Sequence, residues 1–276
     1  MLTIKEYRKA ESLEEAWQLN QKRPNRIIGG MVWLKMCSLN VQTAIDLSGL
    51  GLDGIEEQED SFSIGCMVTL RQLETHPGLD RYTNGAMKEA LRHIVGVQFR
   101  NVATVGGSLF GRYGFSDVLT AFMAMDAQVE LYKGGLIPIR GFAEMPYDRD
   151  VLVRVVVKKT PAAYFYQSMR NTDTDFPALT CAAARTAEGL RICIGARPGK
   201  AVLLSAPEEL LQAPFSGEKA KQLAAYAAKQ IPTGSNMRGS AEYRTHLVEV
   251  LTKRAAEHLT KTAYEDTSSG QKESEP

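Results

Sequence analysis

Short apolar runs that end in glycine are the clearest pattern in the first part of the chain. Arg26–Ile28 leads into Gly29-Gly30, which indicates a strand and a turn, and Met31–Met36 then predicts a helix. Ser12 and Glu15 form a capping box before an apolar face, so we expect a first helix of about ten residues there. Two more strands are predicted over 44–47 and 62–66.

The remaining elements follow from the same periodicities. Helices are predicted from Thr69, over 80–94 and from Ser116-Asp117 to Met125, with strands at 128–132 and 151–157 and a hairpin turn at Gly134-Gly135. Lys158–Pro161 is polar and broken by proline, which predicts a domain boundary. Beyond it, strands are predicted at 163–169, 179–185 and 190–195, and helices at 207–211, 217–229 and 240–259. The polar composition of 263–276 predicts a disordered tail.

The composition excludes several classes of protein. Lysine and arginine total 33 against 32 aspartate and glutamate residues, so the net charge is +1 and nothing favours nucleic acid or a membrane surface. No apolar run approaches the ~18–20 residues that cross a bilayer, and the N-terminus lacks the apolar core of a signal peptide. We therefore expect a cytoplasmic protein without membrane insertion, in which a few local donors hold any phosphate-bearing ligand.

The four cysteines, Cys37, Cys66, Cys181 and Cys193, carry no recognisable metal site. They form no C-x-x-C pair, and no histidine lies at zinc spacing from them. Their spacing also fits no iron–sulfur cluster. We expect buried thiols and no metal bound to this chain.

Two glycine pairs, Gly29-Gly30 and Gly106-Gly107, are the candidate ligand-binding loops. A glycine pair lets backbone N–H groups converge on a bulky anion without a Cβ in the way, and a helix that starts directly afterwards adds its own N–H groups and dipole. Thr104 and Ser108 beside the second pair can donate to phosphate or ribityl oxygens. Two facing loops would clamp the linked phosphates of a dinucleotide, although each pair alone also suits an ordinary turn.

The residues around these loops resemble a known family. Phe99-Arg-Asn-Val-Ala-Thr-Val-Gly-Gly-Ser-Leu109 is similar to a signature of the FAD-binding subunits of molybdenum hydroxylases. These subunits are the medium subunits of carbon monoxide dehydrogenase-like enzymes and the flavin domain of xanthine dehydrogenase. Ile27–Gly30 resembles the first flavin loop of the family, and Phe62–Leu70 and Gly239–Arg244 resemble two further family segments. The resemblance extends in order over about residues 1–260.

The resemblance implies an α+β fold of the PCMH type. Two small α/β subdomains, about 1–55 and 56–158, would form an FAD-binding domain over 1–158, and a C-terminal α+β domain of the carbon monoxide dehydrogenase flavoprotein type would cover 160–262. It also implies FAD as the cofactor and electron transfer as the function. A molybdopterin-binding subunit would hydroxylate the substrate, an iron–sulfur subunit would relay the electrons, and the flavin would pass them to NAD or another acceptor. No catalytic acid, base or nucleophile is implied, because the flavin carries the redox chemistry.

The resemblance assigns cofactor-binding residues to both loops and beyond them. The first loop comprises Arg26, Ile27, Ile28, Gly29, Gly30, Met31, Val32 and Trp33, and the second comprises Thr104, Val105, Gly106, Gly107 and Ser108. Asp117 would bind polar groups of the ribityl chain or the ring, and helix N-capping is its alternative role. Leu152 would contact the ring through its backbone.

Some residues depart from the family pattern. Met31-Val32 replaces the polar pair that usually follows the first glycines, which leaves only backbone N–H groups as donors there. Tyr113 and Phe115 stand where small residues or histidine are common, and they would either stack on the flavin or cover the core. Two alternatives therefore stay open: a stand-alone FAD-dependent oxidoreductase of the same fold, and a scaffold subunit that has lost the flavin.

Overall fold

The computed structural model describes residues 1–215 and 217–262, and the predicted tail at 263–276 lies outside the described residues. Three β-sheets with helices packed on them make up the described part of the chain. This mixture of a parallel sheet, antiparallel sheets and helices confirms the predicted α+β class.

The first sheet is parallel and has the order β1-β3-β2. Its strands are β1 (Thr3–Lys9), β2 (Arg26–Ile28) and β3 (Asn40–Asp46), and helix α1 (Leu13–Asn20) connects β1 to β2. Ser12 Oγ accepts a hydrogen bond from the N–H of Glu15, which confirms the predicted N-cap, but the Glu15 carboxylate accepts from the N–H of Glu11 rather than from that of Ser12, so the reciprocal half of the predicted capping box is not formed. Strand β1 was not predicted, because its residues are all exposed and carry no alternating apolar pattern.

Two helix predictions are wrong. Met31 has a φ of 58°, in the left-handed region, and only a 3₁₀ turn at Leu34–Met36 follows the first glycine pair. A left-handed residue cannot continue a right-handed helix, so no helix dipole points at the first loop. The segment 80–94 is likewise divided between α3 (Pro77–Tyr82) and α4 (Ala86–Arg92), because Asn84 and Gly85 both have positive φ.

The second sheet is antiparallel throughout and has the order β4-β5-β8-β6-β7. Its strands are β4 (Ile55–Glu57), β5 (Ser61–Gly65), β6 (Gln128–Leu131), β7 (Gly135–Pro138) and β8 (Leu152–Lys158). The predicted hairpin turn joins β6 to β7, where Gly135 has a φ of 69°. The same part of the chain contains α2 (Leu70–Thr75), α5 (Val97–Arg100), α6 (Val105–Phe110), α7 (Asp117–Ala124) and α8 (Ile139–Glu144).

The C-terminal sheet is antiparallel, has the order β12-β11-β10-β9, and packs against helices on both faces. Its strands are β9 (Ala163–Met169), β10 (Leu179–Thr186), β11 (Gly189–Gly195) and β12 (Val202–Leu203), and α9 (Glu208–Leu211), α10 (Gly217–Gln230) and α11 (Ala241–Lys261) follow. Cys181 and Ala183 share a core with α10 and α11, whereas Ala182 and Ala184 belong to the core that contains α7. Because successive side chains of β10 point to opposite faces of the sheet, this strand packs against both parts of the chain. We retain the division into 1–158 and 160–262, with subdomains meeting near residue 55, as a proposal.

Candidate functional site

A cavity of about 460 Å³ opens between the first sheet, the second glycine loop and the segment before β8. Its size is typical of a small-molecule or cofactor site. The predicted residues that line it are Arg26, Ile27, Ile28, Gly29, Thr104, Gly106, Gly107 and Leu152. The lining does not include Gly30, Met31, Val32, Trp33, Val105, Ser108 or Asp117. The fold therefore brings only part of the predicted set to one cavity.

The first glycine pair allows the two loops to touch. A Cβ on Gly30 would overlap the carbonyl oxygen of Val102, and a Cβ on Gly29 would overlap Thr104 Oγ1. Both positions therefore require the smallest residue for close approach rather than for an unusual φ. The contact places the first loop directly beside the start of α6.

The start of α6 is itself hydrogen-bonded to the turn that follows β5. The N–H groups of Val105 and Gly106 donate to the carbonyl oxygens of Val68 and Cys66, at 2.9 and 2.8 Å. A Cβ on Gly106 would lie 2.9 Å from the same Cys66 oxygen. Two of the helix N-terminal N–H groups are therefore already bound within the protein.

The hydroxyl groups of the second loop also form hydrogen bonds within the protein. Thr104 Oγ1 accepts a hydrogen bond from the N–H of Gly107 at 3.2 Å and so caps α6, and Ser108 Oγ donates to the Thr104 carbonyl oxygen at 2.9 Å. A Cβ on Gly107 would meet only Thr104 Oγ1, at 3.2 Å, and Gly107 borders the cavity. Of the second glycine pair, Gly107 is therefore the residue that leaves space for a ligand.

The free backbone donors are in the first loop. The N–H groups of Gly29, Gly30, Met31 and Val32 donate no backbone hydrogen bond within the part of the chain that the structure describes. These residues are only partly buried, and Gly29 lies on the cavity wall. Successive unpaired N–H groups are a common device for binding anions. The first loop can thus bind a phosphate through its backbone, as the loss of polar side chains at Met31 and Val32 implied.

The segment Tyr147–Asp150, here called the polar wall, forms a side of the cavity that sequence reasoning missed. The Asp150 carboxylate accepts hydrogen bonds from the N–H groups of Lys133 and Gly134, at 3.1 and 2.7 Å, which ties the wall to the β6–β7 turn. The other missed lining residues are Asn20, Leu47, Cys66, Met67 and Phe110. A polar Asp-Arg-Asp run directly before a buried strand was the available signal for the wall.

Arginine side chains bring positive charge to the cavity. The Arg149 guanidinium donates to the carbonyl oxygens of Asn20, the last residue of α1, and of Arg23, at 2.5 and 2.8 Å. Burial and the neighbouring guanidinium groups of Arg26 and Arg23 lower the pKa of Arg149. No ion pair joins Arg26 or Arg149 to a carboxylate among the described residues. The two carboxylates of the polar wall border the same cavity, so the two arginines supply local rather than net positive charge for an anionic ligand.

Asp117 lies away from the cavity, in the contact between the two parts of the chain. Its Oδ1 accepts hydrogen bonds from the Tyr166 hydroxyl and from Arg170 Nη2, both at 2.5 Å. Burial raises the pKa of the Asp117 carboxyl, and the Arg170 guanidinium opposes that effect. Ser116 rather than Asp117 caps α7, since its Oγ accepts from the N–H of Leu119. Cofactor binding by Asp117 stays a prediction.

An aromatic cluster lies where the first loop, the segment after α6 and the C-terminal sheet meet. Tyr113 and Phe115 stack with ring centroids 5.1 Å apart and planes 9° apart. Trp33 packs against Tyr113 at 5.6 Å, and Phe176 packs edge-on against Phe115 at 4.7 Å. The cluster joins the first loop to the connection between β9 and β10, which carries Phe176, by contacts between rings.

Residues 3–160 match the family described as FAD binding domain in molybdopterin dehydrogenase. The chain belongs to this family. Residues 163–259 match the family described as CO dehydrogenase flavoprotein C-terminal domain. The predicted family, the predicted FAD cofactor and the assignment to oxidoreductase subunits are confirmed.

Relatives that match over most of their length support the family assignment. The chain is 27% identical over 281 residues to the putative xanthine dehydrogenase FAD-binding subunit XdhB of Escherichia coli K12, covering 92% of this chain and 95% of that protein. It is 25% identical over 253 residues to the uncharacterized protein YgfM of the same organism, covering 90% and 93%. The fold resembles that of reconstituted CO dehydrogenase from Oligotropha carboxidovorans, with a TM-score of 0.85 at 20% identity, covering 95% of this chain and 99% of that one.

Over residues 1–215 and 217–262, every helix is too short or too polar to cross a lipid bilayer.

Proposed function

We propose that this chain is the electron-transfer subunit of a multisubunit molybdopterin-dependent dehydrogenase. It would bind FAD between the two glycine loops, receive electrons from an iron–sulfur subunit, and pass them to NAD or another acceptor. A molybdopterin-binding subunit would hold the substrate, and we propose a cytoplasmic complex. The similarity to XdhB, the putative xanthine dehydrogenase FAD-binding subunit of Escherichia coli, supports this arrangement.

One observation supports FAD binding most directly: the run of free N–H groups in the first loop begins at Gly29, on the wall of a cavity that Gly107 and two arginines without ion-pair partners also border. This donor set fits the two linked phosphates of FAD. The flavin supplies the redox chemistry when it is bound. The residues of the chain bind and orient it, with Gly29 and Gly107 at the phosphates, and Asp117 and Leu152 as further proposed contacts.

The experiment is to purify the full chain, record its absorbance spectrum and reconstitute it with FAD. We expect a bound flavin in the wild type and loss of flavin retention in Gly107→Val, because the new side chain would fill the space at the cavity. Gly141→Val is the matched control, since a Cβ at Gly141 meets no atom within 4 Å. Circular dichroism checks that both variants fold.

Co-purification with the products of neighbouring coding sequences, followed by metal analysis, tests the partners. The complex should contain molybdenum and iron, and the isolated chain should contain neither. A wild-type chain that folds but never binds FAD would contradict the proposal and favour the flavin-less scaffold. NAD(P)H-dependent turnover by the isolated chain would favour the stand-alone oxidoreductase.

A further inference from the structure

The two carboxylates of the polar wall differ in how many of their oxygens are occupied. Asp150 accepts hydrogen bonds from three backbone N–H groups, those of Lys133, Gly134 and Val151. Asp148 Oδ1 accepts one hydrogen bond, from the N–H of Asp150 at 3.0 Å, and its Oδ2 accepts none from the described residues. The Asp148 side chain is 30% exposed and borders the cavity, so this oxygen is available to a ligand.

Arg112 stands behind Asp148 and is held rigidly. Its Nε donates to the Phe142 carbonyl oxygen at 2.8 Å, its Nη1 donates to that of Phe110 at 3.1 Å, and its guanidinium carbon lies 4.0 Å from the centroid of the Phe142 ring. Its Nη2 lies 3.6 Å from Asp148 Oδ2, which is an ion-pair distance and too long for a hydrogen bond. The buried cation therefore attracts the carboxylate without occupying its free oxygen.

We propose that Asp148 Oδ2 accepts a hydrogen bond from a sugar hydroxyl of the cofactor, on either the adenosine ribose or the ribityl chain. A carboxylate is an acceptor, so its ligand must present a donor. The phosphates of FAD are acceptors too, whereas both sugar chains carry hydroxyl donors. An acidic side chain binds ribose in the same way in other dinucleotide sites. The inference rests on the proposed binding of FAD in this cavity.

The test compares the flavin-free full chain with its Asp148→Asn variant and measures dissociation constants for ADP, FMN and inorganic pyrophosphate. Loss of the charged acceptor should weaken ADP or FMN about tenfold, and the probe that is weakened identifies the ribose or the ribityl chain. If removal of the negative charge were the only effect of the substitution, every anionic probe would bind more tightly, because the repulsion by Asp148 would be gone. Pyrophosphate should therefore bind as well or better.

Asp53→Asn is the matched control, because Asp53 is exposed and its side chain makes no hydrogen bond among the described residues. It should change no dissociation constant. If ADP is the weakened probe, 2′-deoxy-ADP or 3′-deoxy-ADP should be insensitive to Asp148→Asn. Equal weakening of ADP and both deoxy analogues would place Asp148 on the adenine and overturn the inference.

The outcome also separates this inference from the proposed function. FAD binding by the wild type, with ADP and FMN unweakened in Asp148→Asn, overturns the role of Asp148 alone. Failure of the wild type to bind FAD, ADP and FMN overturns both proposals.

Discussion

The glycines of the two loops have different structural roles, although their sequence motifs are similar. Gly30 and Gly106 permit close contact with a neighbouring backbone, whereas Gly107, which borders the cavity together with Gly106, has no neighbouring backbone within 4 Å of the position that a Cβ would take. The second loop has the more distinctive sequence, yet the N–H groups of Val105 and Gly106 are bound inside the protein. The free donors belong to the first loop, where Met31 is a non-glycine residue with a φ of 58°. A conformation of this kind is often found at binding sites, which agrees with a role for the first loop at the cofactor.

Gly30→Ala should destabilise the chain by roughly 1–3 kcal/mol, because a Cβ would overlap the Val102 carbonyl oxygen and push the two loops apart. Urea denaturation measures the free energy of unfolding. Gly54→Ala is the control, since a Cβ at Gly54 has no neighbour within 4 Å. Equal stability of the two variants would show that the loops do not depend on this contact.

Helices α2 and α5 hold the second glycine loop in place through one buried ion pair. Arg100, at the end of α5, donates from Nε and Nη2 to the Glu74 carboxylate on α2, at 2.8 and 3.2 Å. Both side chains are at most 5% exposed, and Arg100 Nη1 also donates to the Ile94 carbonyl oxygen. The arginine of the family signature therefore supports the loop from behind, four residues before Thr104.

Glu74→Gln should lower the free energy of unfolding near neutral pH by about 3 kcal/mol, because Arg100 loses its charged partner. Burial by itself raises the pKa of Glu74, but hydrogen bonds from Arg100 and Arg71 outweigh it and hold the pKa below the ordinary value of 4.5. The stabilisation is therefore complete above that value and is lost as the pH falls through the lower pKa of the folded state.

Urea denaturation at neutral pH and in steps below pH 4.5 checks this prediction. The difference between wild type and Glu74→Gln should shrink as the pH falls, and a constant difference would contradict it. Glu56→Gln is the control, because Glu56 is exposed on β4 and forms no ion pair among the described residues.

The C-terminal sheet and a buried ion pair beside it join the two parts of the molecule. The sheet packs against α7 on one face and α10 and α11 on the other. Asp117 on α7 and Arg170 after β9 pair with side chains that are each 7% exposed. Arg170 also donates to the Asp175 carbonyl oxygen, and the Asp175 carboxylate accepts from Arg238. These contacts hold the segment that carries Phe176 against the aromatic cluster.

Arg170→Gln should destabilise the chain by about 3–5 kcal/mol, because it leaves the buried Asp117 carboxylate without its cation. Adding Asp117→Asn should recover part of the loss, since the unpaired charge is then removed. Arg140→Gln, at an exposed position on α8, is the control for urea denaturation. A double variant less stable than Arg170→Gln would contradict the ion-pair explanation.

The sequence by itself determined the elements whose burial follows a local period. The strands at 163–169, 179–185 and 190–195 and the last helix were predicted close to their observed limits, because alternation and helical spacing record which face is buried. The resemblance of the two glycine loops to the family was enough to predict the family and the FAD cofactor, and the residues assigned from the whole resemblance make up about half of the cavity lining.

Only the tertiary structure decided which groups meet. The sequence predicted neither strand β1 nor the polar wall, since exposed strands and irregular segments carry no periodic signal. It also did not predict which side chains pair with Asp117 and Arg100. The contacts between Gly30 and Val102 and between Asp117 and Arg170 join residues far apart in the chain. Whether an N–H group is free or occupied depends on such contacts, and no local pattern encodes it.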